Sequence, residues 1–186
     1  MKKFIIAILL GVLFTTSYTY DIPDIYRDID KLFEIVPETQ RLKIGSENVD
    51  INVRYLLLMT AMIESNLGRD KYNGRYAKTY LQLEEDSAKH YVKIMPELTK
   101  FIENKLGRKL KFNKNEDAVY IAYILYMAKI RYHYNWINKY KHRLYTHNND
   151  IEWFIYKLYY NSVKGASTYK TWKRREKQLI ALMEVE

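Results

Sequence analysis

The stretch from Tyr55 to Gly68 constrains the fold more than any other part of the chain. Apart from Thr60, every residue from 55 to 63 is apolar. A helix built from it offers no face to water and has to be packed on all sides. The stretch closes on Glu64 and Ser65, and Gly68 is expected to take the left-handed conformation that ends a helix. A carboxylate in the last turn lies beside the partial negative charge of the helix C-terminus. Its apolar neighbours also desolvate it, and both effects favour the neutral acid. A carboxylic acid held neutral near pH 7 is suited to donating a proton. Glu64 is therefore a candidate general acid; the competing reading is a solvated glutamate just past a buried helix.

The rest of the chain reads as further helices around this one. Asp24 opens a helix reaching Phe33–Val36, with Ile25, Ile29, Leu32 and Phe33 on one stripe, and Pro37 stops it. Residues 38–49 are polar, contain Gly45 and Ser46, and read as a connection whose Asn48 or Asp50 caps the buried helix. Residues 69–82 read as a long loop running back across the end of that helix. Helices follow over 84–94, with Ala88, Tyr91 and Val92 inward, and over 96–106, closed by Gly107. Residues 108–114 read as a basic solvated loop. Asn113 and Glu116 then form a capping box for a second central helix reaching about Tyr134, with Val119, Ala122, Tyr123, Tyr126 and Ile130 on its main face. Lys139 to Arg143 read as basic and exposed. Asn149 and Glu152 open a helix through Tyr159. Ser167 is expected to cap a last helix with Tyr169, Trp172, Leu179, Ile180 and Met183 inward and Lys170, Lys173, Arg174, Arg175 and Lys177 outward. No segment with strand periodicity competes, so the expected class is all-α, in one domain over residues 20–186.

Residues 1–19 read as a signal peptide. Lys2 and Lys3 precede an apolar run from Phe4 to Phe14 that is short for a membrane span, and Ser17 and Thr19 suit a cleavage site. Left uncleaved, residues 4–14 would serve as an anchor; either way the expected location is the cell envelope, periplasmic or extracellular. The chain has no cysteine, which excludes disulfides and thiolate chemistry. The histidines at 90, 133, 142 and 147 form no zinc motif, and there is no phosphate-binding glycine loop, so neither metal nor cofactor is expected. The net charge of +9 favours anionic partners, and the 19 tyrosines supply flat faces with polar tips that suit sugars as well as cores.

Three short stretches fall into a recognisable order. Ile63-Glu64-Ser65 resembles the Glu-Ser motif of soluble lytic transglycosylases and the related goose-type lysozymes. Thr79-Tyr80-Leu81-Gln82 stands where that family has Gly-Leu-Met-Gln, and Tyr159-Tyr160-Asn161 followed by Gly165 looks like its Ala-Tyr-Asn-Ala-Gly motif. The likeness covers roughly residues 50–175, with Thr79 replacing one glycine and Gly165 displaced from another. It implies a single lysozyme-like helical domain, acting as a monomer on peptidoglycan strands and not on nucleic acid. The reaction implied is cleavage of the β-1,4 bond between N-acetylmuramic acid and N-acetylglucosamine by one glutamate, Glu64, which first donates and then accepts a proton. Tyr160 would orient Glu64, Gln82 and Asn161 would hold N-acetyl or hydroxyl groups, and Ser65 would support carboxylate or sugar. A lysozyme-type hydrolase using the same acid and a basic glycan-binding module without chemistry are the alternatives.

Overall fold

The computed structural model describes residues 24–44, 46–67, 79, 81–112, 114–139, 150–159 and 169–184. The expected signal segment, Gly68, most of the loop 69–82, Asn113, Asn149, Ser167 and two site residues, Tyr160 and Asn161, lie outside them. Within the described residues the order is α1 (Asp24–Phe33), β1 (Thr39–Ile44), β2 (Glu47–Asn52), α2 (Val53–Ser65), α3 (Glu85–Ile94), α4 (Pro96–Leu106), α5 (Asn115–Lys139), α6 (Ile151–Tyr159) and α7 (Tyr169–Met183). The molecule is predominantly helical, with one two-stranded sheet.

The buried stretch is α2, and its neighbours come from both ends of the chain: α1, β1, α5, α6 and α7 all pack on it. Its residues 56–62 are all buried. The second central helix is α5, which touches α1, α2, α3, α4 and α6. Its residues 118–126 are all buried, so it too has almost no solvent face over about two and a half turns. The two are tied by a polar contact inside the core. Thr60 donates its hydroxyl to the Leu56 carbonyl at 2.7 Å and meets the Tyr126 hydroxyl at 2.5 Å. With the Thr60 proton engaged, Tyr126 is the donor in that second bond.

The connection expected over 38–49 is instead a β-hairpin. Thr39 faces Asn52 and Ile44 faces Glu47, leaving residues 45 and 46 to join the strands. Leu42, Ile44 and Ile51 are buried on one face, while Arg41 and Asp50 pair at 2.8 Å on the other. The period of two is that of a half-buried strand. Gln40 fastens the hairpin to α5 by donating to the Tyr123 hydroxyl at 2.9 Å. Burial pushes that phenol up to about 12.

Because β2 runs on to Asn52, the cap of α2 moves with it: Asn52, not Asn48 or Asp50, accepts from the Tyr55 N–H at 2.9 Å. The Asn52 N–H in turn donates to Glu152 of α6 at 2.8 Å. Asp150 caps α6 by accepting from the Trp153 N–H at 3.0 Å. Hairpin end, α2 start and α6 start therefore meet at one residue.

The segment after Gly107 is not simply solvated. Gly107 ends α4 with φ +66, and the chain then folds back so that Arg108 donates both guanidinium arms to Asp117 in the first turn of α5, at 2.6 and 2.7 Å. The Lys111 N–H adds a third bond to the same carboxylate at 2.7 Å. On α7, Trp172 and Leu179 are buried as expected, whereas Ile180 and Met183 are 46% and 52% exposed. Only a narrow stripe of α7 meets the core.

Candidate active site

Glu64 is the penultimate residue of α2. The helix carries it out of the core to a half-buried position, whereas Ser65 beside it is buried. The helix is closed by Asn66, at φ 51 and ψ 48, where Gly68 had been expected. Asparagine is one of the few side chains that tolerate this conformation. Leu67 follows at φ 59, and the N–H groups of both residues return to the Ala61 carbonyl. A leucine in the left-handed region is strained; burial of its side chain holds it there.

The second expected motif closes on the same point. The Gln82 side-chain amide donates to the backbone carbonyl of Glu64. Gln82 itself sits at φ 47. Its N–H returns to the Thr79 carbonyl at 2.8 Å, and the Leu83 N–H reaches the Thr79 hydroxyl at 3.5 Å. Thr79, Leu81 and Leu83 are all buried. The hydroxyl thus gives the threonine a structural task in this turn, at the position where the resembled family has a glycine. Among the described residues, Asn66, Leu67 and Gln82 are all the non-glycine residues with positive φ. Strain of this kind persists only where surrounding structure imposes it, and it concentrates at functional sites.

The third contribution comes from α6. Tyr156 donates its hydroxyl to Glu64 Oε1 at 2.9 Å. It is buried and packs against Trp172 of α7, with ring centroids 5.2 Å apart. Trp172 in turn receives the edge of Tyr55 from the first turn of α2, at 6.0 Å and 83°. The phenol that orients the carboxyl is therefore fixed from behind by two further aromatic rings. The resemblance gives the task of orienting Glu64 to Tyr160, which lies outside the described residues. Tyr126 of α5 is held well above the usual phenol range by burial, and the negative charge of Glu64 adds to that shift.

The structure therefore brings Glu64 and Gln82 together and adds Tyr156 and Tyr126. Ser65 turns its hydroxyl back to the Ala61 carbonyl at 3.2 Å, where it braces the helix end. Tyr160 and Asn161 lie outside the described residues. Asp86, a carboxylate close to Gln82 in sequence, is exposed on α3. Among the described residues no three His, Asp or Glu side chains gather as a metal site. Chemically, the arrangement offers one half-buried carboxyl with a phenolic donor on one oxygen, an amide beside its backbone, and rigid support behind. That suits transfer of a proton to and from a bound group. Set beside known proteins, the chain matches no family model, no curated protein and no solved structure, so the reading of the site rests on its own geometry.

Proposed function

We propose that the chain is an exported peptidoglycan lytic transglycosylase with a lysozyme-like helical domain. The observation that carries the reading is the bond from Tyr156 to Glu64, made at the open end of a helix that is otherwise buried. The Glu-Ser and Leu-Gln stretches also meet at the end of α2, where the Gln82 amide donates to the Glu64 backbone carbonyl.

In this reading a glycan strand lies across the end of α2. Glu64 protonates the glycosidic oxygen as the bond from it to C1 of the muramyl ring breaks. The N-acetylglucosamine hydroxyl leaves, and positive charge develops at C1. The carboxylate so formed takes the proton of the muramyl 6-hydroxyl as that oxygen bonds to C1, closing a 1,6-anhydro ring and restoring the acid. One carboxyl acting as acid and then base needs no second carboxylate partner. Tyr156 keeps the reactive oxygen aimed, and Gln82 and Ser65 hold the end of α2 in place; Asn161 and Tyr160 complete the proposed contacts with carboxylate and sugar.

The test is to incubate purified protein and the Glu64→Gln variant with peptidoglycan sacculi and weigh the released fragments. Muropeptides lighter by one water than hydrolytic ones are expected from the wild type. The variant should be slower by about 10²–10⁴-fold, the usual contribution of a general acid. Ordinary reducing ends, lost in the variant, would make the enzyme a lysozyme-type hydrolase. No release by a folded wild type would refute catalysis and leave a glycan-binding module.

A further inference from the structure

Trp172 of α7 is fully buried, yet its indole N–H makes no hydrogen bond with any described residue. A buried donor left unbonded costs free energy, and such a group in a folded protein calls for an explanation. Phenylalanine would fill the middle of the same space without that cost. What the second ring of the indole adds is breadth. It lets one side chain touch tyrosines of two other helices: Tyr55 of α2 in T-shaped contact, at 6.0 Å and 83°, and Tyr156 of α6 at 5.2 Å and 41°. A side chain that breaks a local rule beside a candidate site is where function is to be sought.

The indole is itself held. Glu176 stands one turn further along α7 and accepts the Tyr55 hydroxyl at 2.5 Å, while Lys173 pairs with the same carboxylate. Tyr55 is thus gripped at its ring by Trp172 and at its hydroxyl by Glu176, residues four apart on one helix face. The second contact of the indole is with a ring whose direction matters, since Tyr156 donates to Glu64. The Tyr156 oxygen lies on the ring's own axis, so a ring flip leaves the phenol in place. A change at χ1, or a sideways shift of the ring, swings the oxygen off Glu64. A broad ring packed against Tyr156 opposes that swing.

We propose that Trp172 is a positioning residue: packed against Tyr156, its indole sets the bond from that phenol to Glu64. The inference deepens the enzyme reading and rests on Glu64 as the proton donor, but the bond itself can be followed without substrate. A phenol donating to a carboxylate favours the charged form. In W172F that bond weakens, so Glu64 should hold its proton to higher pH by about one unit. An acid must be protonated to act, so the alkaline limb of the pH profile on sacculi should move up by the same amount. Trp172 is buried and has no contact to offer a substrate; kcat should therefore fall, by about tenfold or more, with KM unchanged. Y156F should show the same changes, and W172F/Y156F should be no worse than Y156F, since Trp172 acts through Tyr156. Y55F removes the hydroxyl that Glu176 grips and leaves every ring in place; it should shift the titration the same way by less. L179A, at another buried position two turns along α7, should lower stability in thermal melts and leave the profile where it is. The carbon-13 resonance of the Glu64 carboxyl, identified by its loss in E64Q, reports the proton equilibrium directly. An unshifted titration in W172F (or in Y55F, should W172F not fold), an equal shift in L179A, or additive effects of W172F and Y156F would each overturn the proposal. A wild type that cuts no sacculi refutes the enzyme reading instead, and the Glu64 titration in the variants then decides the positioning by itself.

Discussion

Replacing Arg108 by alanine should cost this protein a large part of its stability. The Asp117 side chain is 0% exposed and receives three hydrogen bonds, two of them from Arg108. Arg108→Ala leaves a buried carboxylate with the Lys111 N–H as its remaining described donor. Breaking a buried pair from one side costs about 3–5 kcal/mol. Two charge-assisted bonds at about 1.5–3 kcal/mol each give a similar figure. Arg108 keeps 36% of its side chain in water, which screens the pair and places the value at the lower end, about 3 kcal/mol. With a slope of about 2 kcal/mol per molar in urea, the unfolding midpoint should fall by about 1.5 M. The neighbouring Lys109 supplies the control. Its Nζ lies 2.6 Å from Glu103, but 87% of its side chain is exposed. Lys109→Ala should change stability by less than about 1 kcal/mol. The reasoning also requires that Arg108→Met with Asp117→Leu be far milder than Arg108→Ala alone, since no orphaned charge remains. A loss below about 1 kcal/mol for Arg108→Ala, or a double variant as damaged as the single, would refute it.

Two further perturbations address the start of α2. Burial raises the Glu152 carboxyl above its ordinary 4.5, and the Asn52 N–H only partly offsets this. The folded state therefore keeps the Glu152 proton to higher pH than the unfolded chain, so this group's stabilisation is complete below 4.5 and is lost as pH rises through the folded value. Glu152→Gln retains an oxygen for Asn52 and should remove that loss; urea midpoints followed upward from about pH 4 would then decline less in the variant, and an unchanged decline would count against the assignment. Asn52→Ala removes the cap of α2 and should lower stability by about 0.5–2 kcal/mol in thermal melts, with no effect meaning that the Tyr55 N–H finds water instead.

The outer helices were legible because their burial follows the 3.6-residue period, and the two central ones because their apolar runs leave no face for water. Ile25, Ile29 and Leu32 on α1, and Gly107 after α4, stand where pattern and cap residues put them. The hairpin was missed because its composition is polar. Its signal lay in the alternation of Gln40, Leu42 and Ile44, and in the glycine–serine pair between two short runs, a pattern that suits a two-residue turn. Arg108 and Asp117 look like surface residues in a list of letters; nothing local announces that a loop will fold back and bury one of them. The outward turn of Ile180 and Met183 has the same origin, since their exposure depends on how little of α7 the core covers. Glu64 was legible from its place at the end of an apolar run, and Gln82 only through the resemblance. Tyr156 was not legible as a partner of Glu64, because that pairing depends on the angle at which α6 meets α2.

The bond between Tyr156 and Glu64 joins residues 92 positions apart, and the bond between Asn52 and Glu152 joins residues 100 apart. Contacts of such separation form only after a long loop has been closed, and their entropic cost falls early while their reward comes late. α2 has its own cap and can fold against α1 and the hairpin well before α6 is available. Until then Glu64 has no phenol to aim it. The geometry of the candidate site is therefore a late product of folding, complete only when the last third of the chain has docked, and a truncated or half-made molecule would carry Glu64 without the phenol that orients it.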